Sequence, residues 1–551
     1  MLNPNEAGLT RPAQPALTQL TPSQLTPSQL TPSRLISASH VGQVGNLRPI
    51  ANRPTKKVLL FLPPYSGQLL GPPLGLLSLA ASLRASGYEP CIIDGALDRH
   101  YATRIAAEVD GALCFGVSLL TGPMIRDAIE ASRLVRKLRP DLPIIFGGWH
   151  PSLLPAQTLA EDFVDIVVRH QGDKTLVEIL QHLEAGKPLD MVQGCWFKRH
   201  GRVLQNPDRP ATPLSSLPSP AYDLADFDVY ERNGGKRKLP YAASTGCPYA
   251  CNYCTDMVFY NRRFNPYDVA RVVEEVTTLV RDHRLDEVAL VDSNFLVDIH
   301  RAVAIARGFL DSGVRFNWTF QASTDLLCRM SDEDVALLGE SGVSHIGFGT
   351  ESASPEVLEW MNKRHQSIPD IAEAARKCAQ AGIRVTLNLI FGYPGEEECH
   401  RRETLRVMGD IAARFDNVTF SPNVFVPYPG IPIWEELRNR GLAEPGTLAA
   451  WADIDLGANS LPWLRGPAYE TLQRGISYFL LANQLNKARR KSKSAAFQSV
   501  VGMMRQPLNW RLRHHFFGWP VELWVSMAKQ WLVVRRSLLT GQALSHGLTR
   551  G

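Results

Sequence analysis

Residues 246–254 read GCPYACNYC, and this stretch decides the interpretation of the whole chain. It places three cysteines, Cys247, Cys251 and Cys254, at spacings of four and three residues. With nine cysteines in 551 residues, chance would produce this pattern roughly 0.002 times per chain. Cysteines packed this tightly, in a chain without a disulfide framework, are far more often ligands than disulfide partners. We therefore predict that this loop binds a metal ion or an iron–sulfur cluster.

Zinc and a 4Fe–4S cluster are the two candidates for the loop. Zinc sites usually close with four ligands, arranged as CxxC pairs or with histidines, and no second pair follows here. Three cysteines instead leave one iron of a 4Fe–4S cluster open to an outside ligand. We therefore expect the cluster, with zinc or coincidence as the alternative.

The chain around the loop alternates between short strands and helices. Strand candidates lie at residues 241–245, 287–291, 316–321, 345–349, 385–391 and 418–426. Helical apolar spacing separates them, as in residues 268–281. Six strand–helix units over about 190 residues predict a partial (β/α)6 TIM-like barrel, shorter than the eight-unit form. The cysteine loop directly follows its first strand.

A second alternating pattern precedes the barrel. Short apolar runs stand at residues 58–62, 90–93, 112–117, 144–146 and 166–168. Helical spacing lies between them, for example in residues 124–138. Short buried strands alternating with helices predict an N-terminal doubly wound, flavodoxin- or Rossmann-like α/β domain with a parallel sheet. Such sheets bind ligands at the carboxyl ends of their strands.

The C-x-x-x-C-x-aromatic-C pattern at the mouth of a partial barrel resembles the radical S-adenosylmethionine (radical SAM) superfamily. The resemblance implies that Cys247, Cys251 and Cys254 ligate a 4Fe–4S cluster whose open iron binds S-adenosylmethionine. It also implies that Tyr253 lies against the adenine. Enzymes of that superfamily cleave S-adenosylmethionine to a 5′-deoxyadenosyl radical, which abstracts hydrogen from unactivated carbon.

Later segments of the barrel resemble further motifs of the same superfamily. Residues 347–352 (GFGTES) resemble its G-x-E-S strand end, and residues 389–396 resemble the strand and glycine turn beside the adenine. Residues 291–295 fall at the end of the second strand, where related enzymes carry a D-x-N-F-like turn. The cofactor-binding residues that this resemblance implies are Asp292, Asn294, Glu351, Ser352 and Gly392. Each motif alone would be an ordinary turn, and their order behind the cysteines favours the cofactor-binding interpretation.

The N-terminal domain resembles the cobalamin-binding domain of cobalamin-dependent radical SAM enzymes. Residues 118–120 match its S-x-L motif after the third strand, and residues 147–148 match its G-G motif after the fourth. The resemblance implies these cobalamin-binding residues: Ser118, Leu120, Thr121, Gly147, Gly148, His150 and Gly172. The D-x-H-x-x-G motif expected after the first strand is missing, so no histidine of that motif is available to ligate cobalt. A cofactor-free flavodoxin-like spacer is the alternative.

The composition, with 44% hydrophobic and 21% charged residues, is that of a largely globular chain. The predicted domains are a disordered leader with an LTPSQ repeat (residues 1–55), a cobalamin-binding-like domain (56–200), a linker (201–235), the radical SAM barrel (236–435) and a helical C-terminal region with a basic aromatic tail (436–551).

Two cofactor-binding domains in one chain match a cobalamin-dependent radical SAM C-methyltransferase. Such an enzyme would methylate an unactivated carbon of a small-molecule, lipid or peptide biosynthetic intermediate. An alternative within this architecture is an oxidative, ring-forming enzyme of the anaerobic porphyrin-ester cyclase type. An alternative of another class is a non-catalytic cobalamin- or redox-responsive binding protein. The resemblance also implies a reducing partner such as flavodoxin or ferredoxin.

Positive charge is concentrated at the C-terminus. Residues 486–551 hold twelve Lys and Arg against one acid, Glu522, and interleave them with Trp, Phe and His. This pattern is typical of a helix at a membrane surface; a packing lid is the alternative, and we do not expect nucleic acid as a partner. No apolar run reaches the roughly 20 residues of a spanning helix, and no signal sequence is visible. We therefore predict a cytoplasmic protein, peripheral at the inner face of the membrane if the tail docks there.

Overall fold

A computed structural model of the chain describes residues 56–65, 71–454 and 461–524. The predicted leader with its repeat (residues 1–55) and the last part of the basic tail (residues 525–551) lie outside the described residues. Two sheets organise the described part. One buried hydrophobic cluster continues from the first sheet into the second.

The first sheet lies in the N-terminal domain, and its strands are short apolar runs. Its strands are β1 (Lys57–Leu62), β2 (Glu89–Asp94), β3 (Cys114–Ser118), β4 (Ile144–Gly147), β5 (Ile166–Val168), β6 (Cys195–Arg199) and β7 (Arg202–Gln205). Its helices are α1 (Leu74–Ala85), α2 (Tyr101–Glu108), α3 (Met124–Leu138), α4 (Trp149–Leu153), α5 (Pro155–Ala160) and α6 (Asp173–Glu184). Successive residues of β1, such as Val58, Leu59 and Leu60, are all buried, as expected for a strand covered on both faces.

The strand order β2-β1-β3-β4-β5-β6-β7, with β1 to β5 parallel, confirms the doubly wound prediction. The chain leaves β1 to one side and returns to β3 on the other, which opens a crevice at the carboxyl ends of these strands. The hairpin β6–β7 joins the same sheet, because β6 pairs antiparallel with β5. The first sheet therefore extends to Gln205, past the boundary predicted at residue 200.

The segment between the two sheets is packed rather than extended. Leu214, Leu217 and Tyr222 are buried in the cluster that both sheets share. The Tyr222 hydroxyl donates a hydrogen bond to the carbonyl of Pro240 at 2.6 Å. This segment, predicted as a linker, therefore forms part of the contact between the domains.

The second sheet forms the predicted six-stranded partial barrel. Its strands and the small pair beside it are β8 (Lys238–Tyr241), β9 (Ser244–Thr245), β10 (Asn265–Pro266), β11 (Glu287–Leu290), β12 (Asn317–Ala322), β13 (Val343–Glu351), β14 (Arg384–Phe391) and β15 (Val418–Val424). The order is β15-β14-β13-β12-β11-β8, with every pair parallel. The first barrel strand differs from its predicted position at residues 241–245. It ends at Tyr241, because Ser244 and Thr245 turn away to pair with β10.

Helices cover the barrel strands and continue into the C-terminal region. They are α7 (Phe227–Gly234), α8 (Asp256–Phe259), α9 (Val269–His283), α10 (Ile299–Asp311), α11 (Thr324–Cys328), α12 (Asp332–Glu340), α13 (Pro355–Trp360), α14 (Ile368–Gln380), α15 (Glu398–Arg414), α16 (Trp434–Asn439), α17 (Gly466–Lys491) and α18 (Ala495–His514). Local sequence explains several boundaries; α14, for example, begins at a capping box of Ser367 and Asp370. Among the described residues, no helix is both long and apolar enough to cross a membrane.

Candidate active site

The cysteine loop follows β9 at the carboxyl end of the barrel's first strand. Gly246 starts the loop with a φ of 78°, and a Cβ there would lie 2.0 Å from the carbonyl oxygen of Arg263. Only glycine is accommodated at this position. Cys251 is buried, and Cys247 and Cys254 are partly buried.

The donor set of the loop suits a cluster better than a zinc ion. Burial raises the pKa of Cys254 to about 12, and it also raises the pKa of Cys247 and Cys251. These three cysteines therefore lose their protons readily only when a bound positive centre stabilises the thiolate charge. Across the described ranges, no three His, Cys, Asp or Glu side chains are grouped to hold a single metal ion. A 4Fe–4S cluster, by contrast, takes each thiolate on a different iron.

Asp292 supports the chain that leads into the cysteine loop. Its carboxylate accepts hydrogen bonds from the Ala243 amide at 2.8 Å and from the Ser244 hydroxyl. Burial raises the pKa of Asp292 to about 6. Arg301 completes this support by donating to the carbonyl of Ala243 at 2.7 Å. Asp292 was expected to contact the cofactor. In the structure its carboxylate instead binds residues 243 and 244, directly before the cysteine loop.

The segment of residues 360–366 holds the other side of the cysteine loop. Asn252 donates its side-chain amide to the carbonyl of Trp360 at 2.7 Å and its backbone amide to the carbonyl of Met361 at 3.1 Å. Asn362 donates in return to the carbonyl of Ala250 at 2.7 Å. The loop is therefore bound to a segment more than 100 residues later in the chain, and no sequence motif marks that segment.

A buried triad of Tyr253, Glu351 and Lys363 joins two of the sequence motifs. The Tyr253 hydroxyl donates to Glu351 Oε1 at 3.0 Å, and Lys363 Nζ lies 3.4 Å from the same oxygen. Lys363 also donates to the Tyr253 hydroxyl at 3.3 Å. Burial by itself lowers the pKa of Lys363, but the negative charges of Glu351, Cys251 and Cys254 together raise it above its ordinary value.

The backbone at Glu351 is unusual. Its φ is 59°, in the left-handed region that a residue other than glycine rarely adopts. The pairing of β13 with β14 shifts register between Gly349 and Glu351. Such strain persists only where surrounding contacts hold it, and the triad supplies those contacts. Lys363 had no signal in the sequence pattern, because only the fold brings it to Glu351.

Ser352 and Gly392 shape the turns at the ends of β13 and β14. Ser352 is buried; its hydroxyl lies 3.1 Å from that of Thr404 and accepts the amide of Ser354 at 3.1 Å. Gly392 has a φ of 75°, and its amide donates to the carboxylate of Glu396. The structure thus places both residues beside the site, with their polar groups bound within the protein.

Several buried polar atoms at the barrel mouth have no hydrogen-bond partner within the described part of the chain. They are Asn294 Oδ1, Thr324 Oγ1, Asp325 Oδ1, Thr350 Oγ1 and His365 Nε2. Most of them follow the carboxyl ends of β11, β12 and β13. Buried polar groups in native proteins are nearly always bonded. The amino, carboxylate and ribose groups of S-adenosylmethionine would supply such partners, so the residues present fit this cofactor.

A cavity of about 730 Å³ lies between the two domains. On the N-terminal side its wall includes the ends of the first sheet's strands: Gly116, Ser118, Gly147, Gly148 and Gly172. On the barrel side it includes Ser244, Thr245, Asp256, Phe259, Tyr260 and Ser293. The cavity therefore reaches from the crevice of the doubly wound sheet to the helix that directly follows the cysteine loop.

The glycines of this wall suit a long cofactor that lies against the backbone. A Cβ at Gly147 would touch only Val168, at 3.7 Å. Gly148 has a φ of 93°, and a Cβ there would lie 2.8 Å from the carbonyl of Leu119. Without side chains, the backbone of these strand ends is open to the nucleotide tail of cobalamin, so the wall fits that group.

Leu120, Thr121 and His150, also expected at the cobalamin site, do not line the cavity. His150 is fully buried, with Nδ1 2.9 Å from the hydroxyl of Thr121 and its ring edge-on to Trp451. Burial lowers its pKa to about 4. Trp149 and His150 are successive residues of α4, so their side chains point in different directions. Trp149 faces the cavity, and His150 faces the core.

Filling the cavity wall tests where cobalamin binds. Gly147→Leu should reduce the cobalt retained after reconstitution by at least about tenfold, because its side chain extends into space that the ligand needs. Gly234→Leu, at the end of α7 where a Cβ meets nothing within 4 Å, is the control and should retain cobalamin. Visible absorbance and cobalt analysis measure both variants. Unchanged cobalt in Gly147→Leu would place the cofactor elsewhere.

The triad predicts a large stability difference between two neighbouring residues. Lys363→Met leaves Glu351 buried without its cation and should lower the free energy of unfolding by about 3 kcal/mol. Arg364→Met removes only an exposed pair with Glu359 and should cost less than about 1 kcal/mol. Urea unfolding of the two variants without cofactors measures the difference. Equal losses would show that the triad does not support the fold.

The Glu396 carboxylate, enclosed at the Gly392 turn, makes stability depend on pH. Burial raises its pKa to about 7 from the ordinary 4.5. Between these values the folded protein holds a proton that the unfolded chain has released, so stability falls as pH rises. Glu396→Gln should remove this part of the slope, on the order of 1–3 kcal/mol. Urea unfolding of the native protein and the variant at several pH values from 4.5 to 7 measures this contribution. Glu403→Gln, at an exposed position, is the control and should keep the native slope.

Comparison with known proteins agrees with this architecture. The family model "Radical SAM superfamily" matches residues 241–408, and the model "B12 binding domain" matches residues 66–180. The chain is 29% identical over 397 residues to an uncharacterised methyltransferase of Pyrococcus horikoshii, covering 69% of this chain and 82% of that protein. It is 24% identical over 383 residues to the anaerobic magnesium-protoporphyrin IX monomethyl ester cyclase of Cereibacter sphaeroides, covering 67% and 61%.

A solved structure shares the fold. The radical S-adenosylmethionine methyltransferase TsrM from Kitasatospora setae, with cobalamin and a 4Fe–4S cluster bound, superposes with a TM-score of 0.64 at 17% identity, covering 84% of this chain and 99% of that one. The order of a cobalamin-binding domain, a radical SAM barrel and a helical C-terminal region is confirmed. The chain therefore combines a B12-binding domain with a radical SAM domain, and the cofactors of these domains are a 4Fe–4S cluster, S-adenosylmethionine and cobalamin.

Proposed function

We propose that this enzyme is a C-methyltransferase that acts on an unactivated carbon of a small-molecule, lipid or peptide biosynthetic intermediate. The observation that carries the proposal is the cavity shared by the two domains. Gly147 and Gly148 form one side of its wall, and Asp256 and Phe259, which follow the cysteine loop, form the other. A substrate in this cavity borders both cofactor-binding regions, as methylation of such a carbon requires.

The two cofactor regions divide the reaction between them. When bound, the cluster and S-adenosylmethionine supply a 5′-deoxyadenosyl radical and cobalamin supplies methyl transfer, so each product consumes one cleaved and one demethylated S-adenosylmethionine. The protein's own part is to hold the acceptor carbon between these regions. Proximity of this kind accounts for much of the rate in group-transfer enzymes.

Where the two domains meet, the cavity wall has an aromatic surface, and the barrel side adds the carboxylate of Asp256. Trp149 stacks on Phe259 with ring centroids 4.2 Å apart, and Tyr260 meets Trp149 edge-on at 5.6 Å. These rings exclude water from the place where a carbon radical would form. Asp256 lies in the same wall, and burial raises the pKa of its carboxyl. It would orient a substrate hydroxyl or amine.

The similarity to the magnesium-protoporphyrin ester cyclase favours a second candidate, oxidative ring formation. That reaction would cleave S-adenosylmethionine without transferring its methyl group. The higher identity and greater coverage of the methyltransferase from Pyrococcus horikoshii support the first candidate. The cytoplasmic location and a flavodoxin or ferredoxin as electron donor stay predictions.

Product analysis separates the two candidates. Anaerobically purified enzyme loaded with cobalamin is reduced with titanium citrate and given S-adenosylmethionine with a deuterated methyl group and pooled small-molecule extracts. Methyl transfer should yield S-adenosylhomocysteine and 5′-deoxyadenosine together, with deuterated methyl in a new product. 5′-Deoxyadenosine without S-adenosylhomocysteine would favour ring formation instead.

Two cysteine variants control the assay. Cys251→Ala removes a ligand of the cluster and should abolish both cluster iron and 5′-deoxyadenosine. Cys328→Ala is the matched control, because Cys328 lies in α11 and its thiol donates to the carbonyl of Asp370. It should retain both. Cleavage retained by Cys251→Ala would refute the radical mechanism.

A further inference from the structure

Exposed apolar side chains are concentrated in one short stretch near the C-terminus. In the part of the chain that the structure describes, sixteen large hydrophobic side chains are exposed, and nine of them fall within residues 497–524. They are Phe497, Val500, Met503, Met504, Trp510, Phe516, Trp519, Val521 and Trp524. Single exposed apolar residues are ordinary, but such a concentration marks an interaction surface. We call these nine residues the C-terminal face.

The helix α18 is fixed to the protein by its opposite side. Val501, Leu508 and Leu512 are buried, and the helix packs on α15 and α17. Arg505 donates to Asp416 at 2.6 Å and to the carbonyl of Ala412 at 2.9 Å. The helix therefore presents its remaining apolar side chains to solvent.

The turn after α18 continues the same face. Arg511 donates to Glu522 at 2.9 Å and to the carbonyl of Trp519 at 3.0 Å, which holds this turn against the end of the helix. The ring of Phe516 lies 5.8 Å from that of Trp510. Trp519 is 77% exposed and Met503 is 62% exposed. The face is thus continuous from the helix into the turn and rich in Trp and Met.

Unpaired positive charge lies at one end of this face. Residues 487–524 contain eight Lys and Arg and one acid, Glu522. Acidic residues pair with four of the arginines: Glu522 with Arg511, Asp416 with Arg489 and Arg505, and Asp410 with Arg513. Lys487, Lys491 and Lys493 are exposed at the junction of α17 and α18. Among the described residues, none of these three lysines has an ion-pair partner. The unpaired charge that these lysines place beside the face is therefore positive.

From this combination we infer that the C-terminal face docks the enzyme on the surface of an anionic lipid bilayer. Trp and Met enter the boundary between head groups and acyl chains, and nearby lysines attract anionic head groups. Trp in particular favours the membrane–water interface. Nucleic-acid binding relies mainly on clustered cations that neutralise phosphates, whereas the nine side chains that define this face are apolar. The inference does not depend on whether the reaction is methylation or ring formation.

Vesicle flotation of the full chain, loaded with its cofactors, tests this inference. The vesicles contain phosphatidylcholine alone or with about 30% phosphatidylglycerol. We expect binding to the anionic vesicles, at least about tenfold weaker binding to the neutral ones, and release as ionic strength rises to about 0.5 M. Absence of binding to either vesicle would overturn the inference.

Paired variants show whether the named residues carry the binding. Met503→Glu combined with Trp519→Glu should reduce binding to anionic vesicles at least about tenfold. Met191→Glu is the control, because Met191 is 81% exposed but belongs to the N-terminal domain, and it should bind like the native enzyme. Circular dichroism and cluster iron confirm that each variant is folded.

A charge variant and a mass measurement complete the test. Lys491→Glu combined with Lys493→Glu should weaken binding to anionic vesicles while leaving the weak binding to neutral vesicles unchanged. Native binding in both double variants would overturn the inference. So would self-association, measured by light scattering, that Met503→Glu/Trp519→Glu abolishes in a protein that does not float with vesicles. In that case a second copy of the chain would be the partner.

Discussion

The hydrogen bond between Tyr253 and Glu351, with Lys363 beside it, connects the cysteine loop to the carboxyl end of the barrel strand β13. It joins residues 98 positions apart in the chain in a buried setting, where an unpaired carboxylate or ammonium would be costly. Each member of the triad therefore needs the other two. Because Tyr253 lies between Cys251 and Cys254, its hydrogen bonds with Glu351 and Lys363 help to fix the position of the cysteine loop.

Other contacts also fix the position of the cysteine loop. Asp292 and Arg301 hold the backbone before the cysteines, and residues 360–366 hold the backbone within them. Directly after the loop, Phe259 stacks on Trp149 of the N-terminal domain. One continuous stretch of about twenty residues thus links the cluster region to the cavity wall between the domains. Such preorganisation is what a reaction shared by two cofactors needs.

The fold was largely predictable, and the exceptions have physical reasons. Five parallel strands of the first sheet and all six barrel strands follow from apolar runs separated by helical patterns. The first barrel strand ends at Tyr241, earlier than predicted, because Ser244 and Thr245 pair with β10 instead of extending that strand. Residues 201–235 resemble a linker in composition, with several prolines, yet Leu217 and Tyr222 are buried between the sheets. Composition reports local flexibility but not the burial of a few anchoring side chains.

The sequence by itself determined the class of chemistry and the order of the domains. Cysteine spacing, glycine pairs and hydrophobic periodicity are short-range patterns, and the loop and strands that they describe form locally. Only the tertiary structure decided which neighbours face the cavity. Trp149 lines the cavity, while His150 is buried against Trp451. Lys363 lies beside Glu351, although no sequence motif predicts this contact. Side-chain direction at the end of a strand or helix depends on what packs against it, and those partners lie far away in the chain.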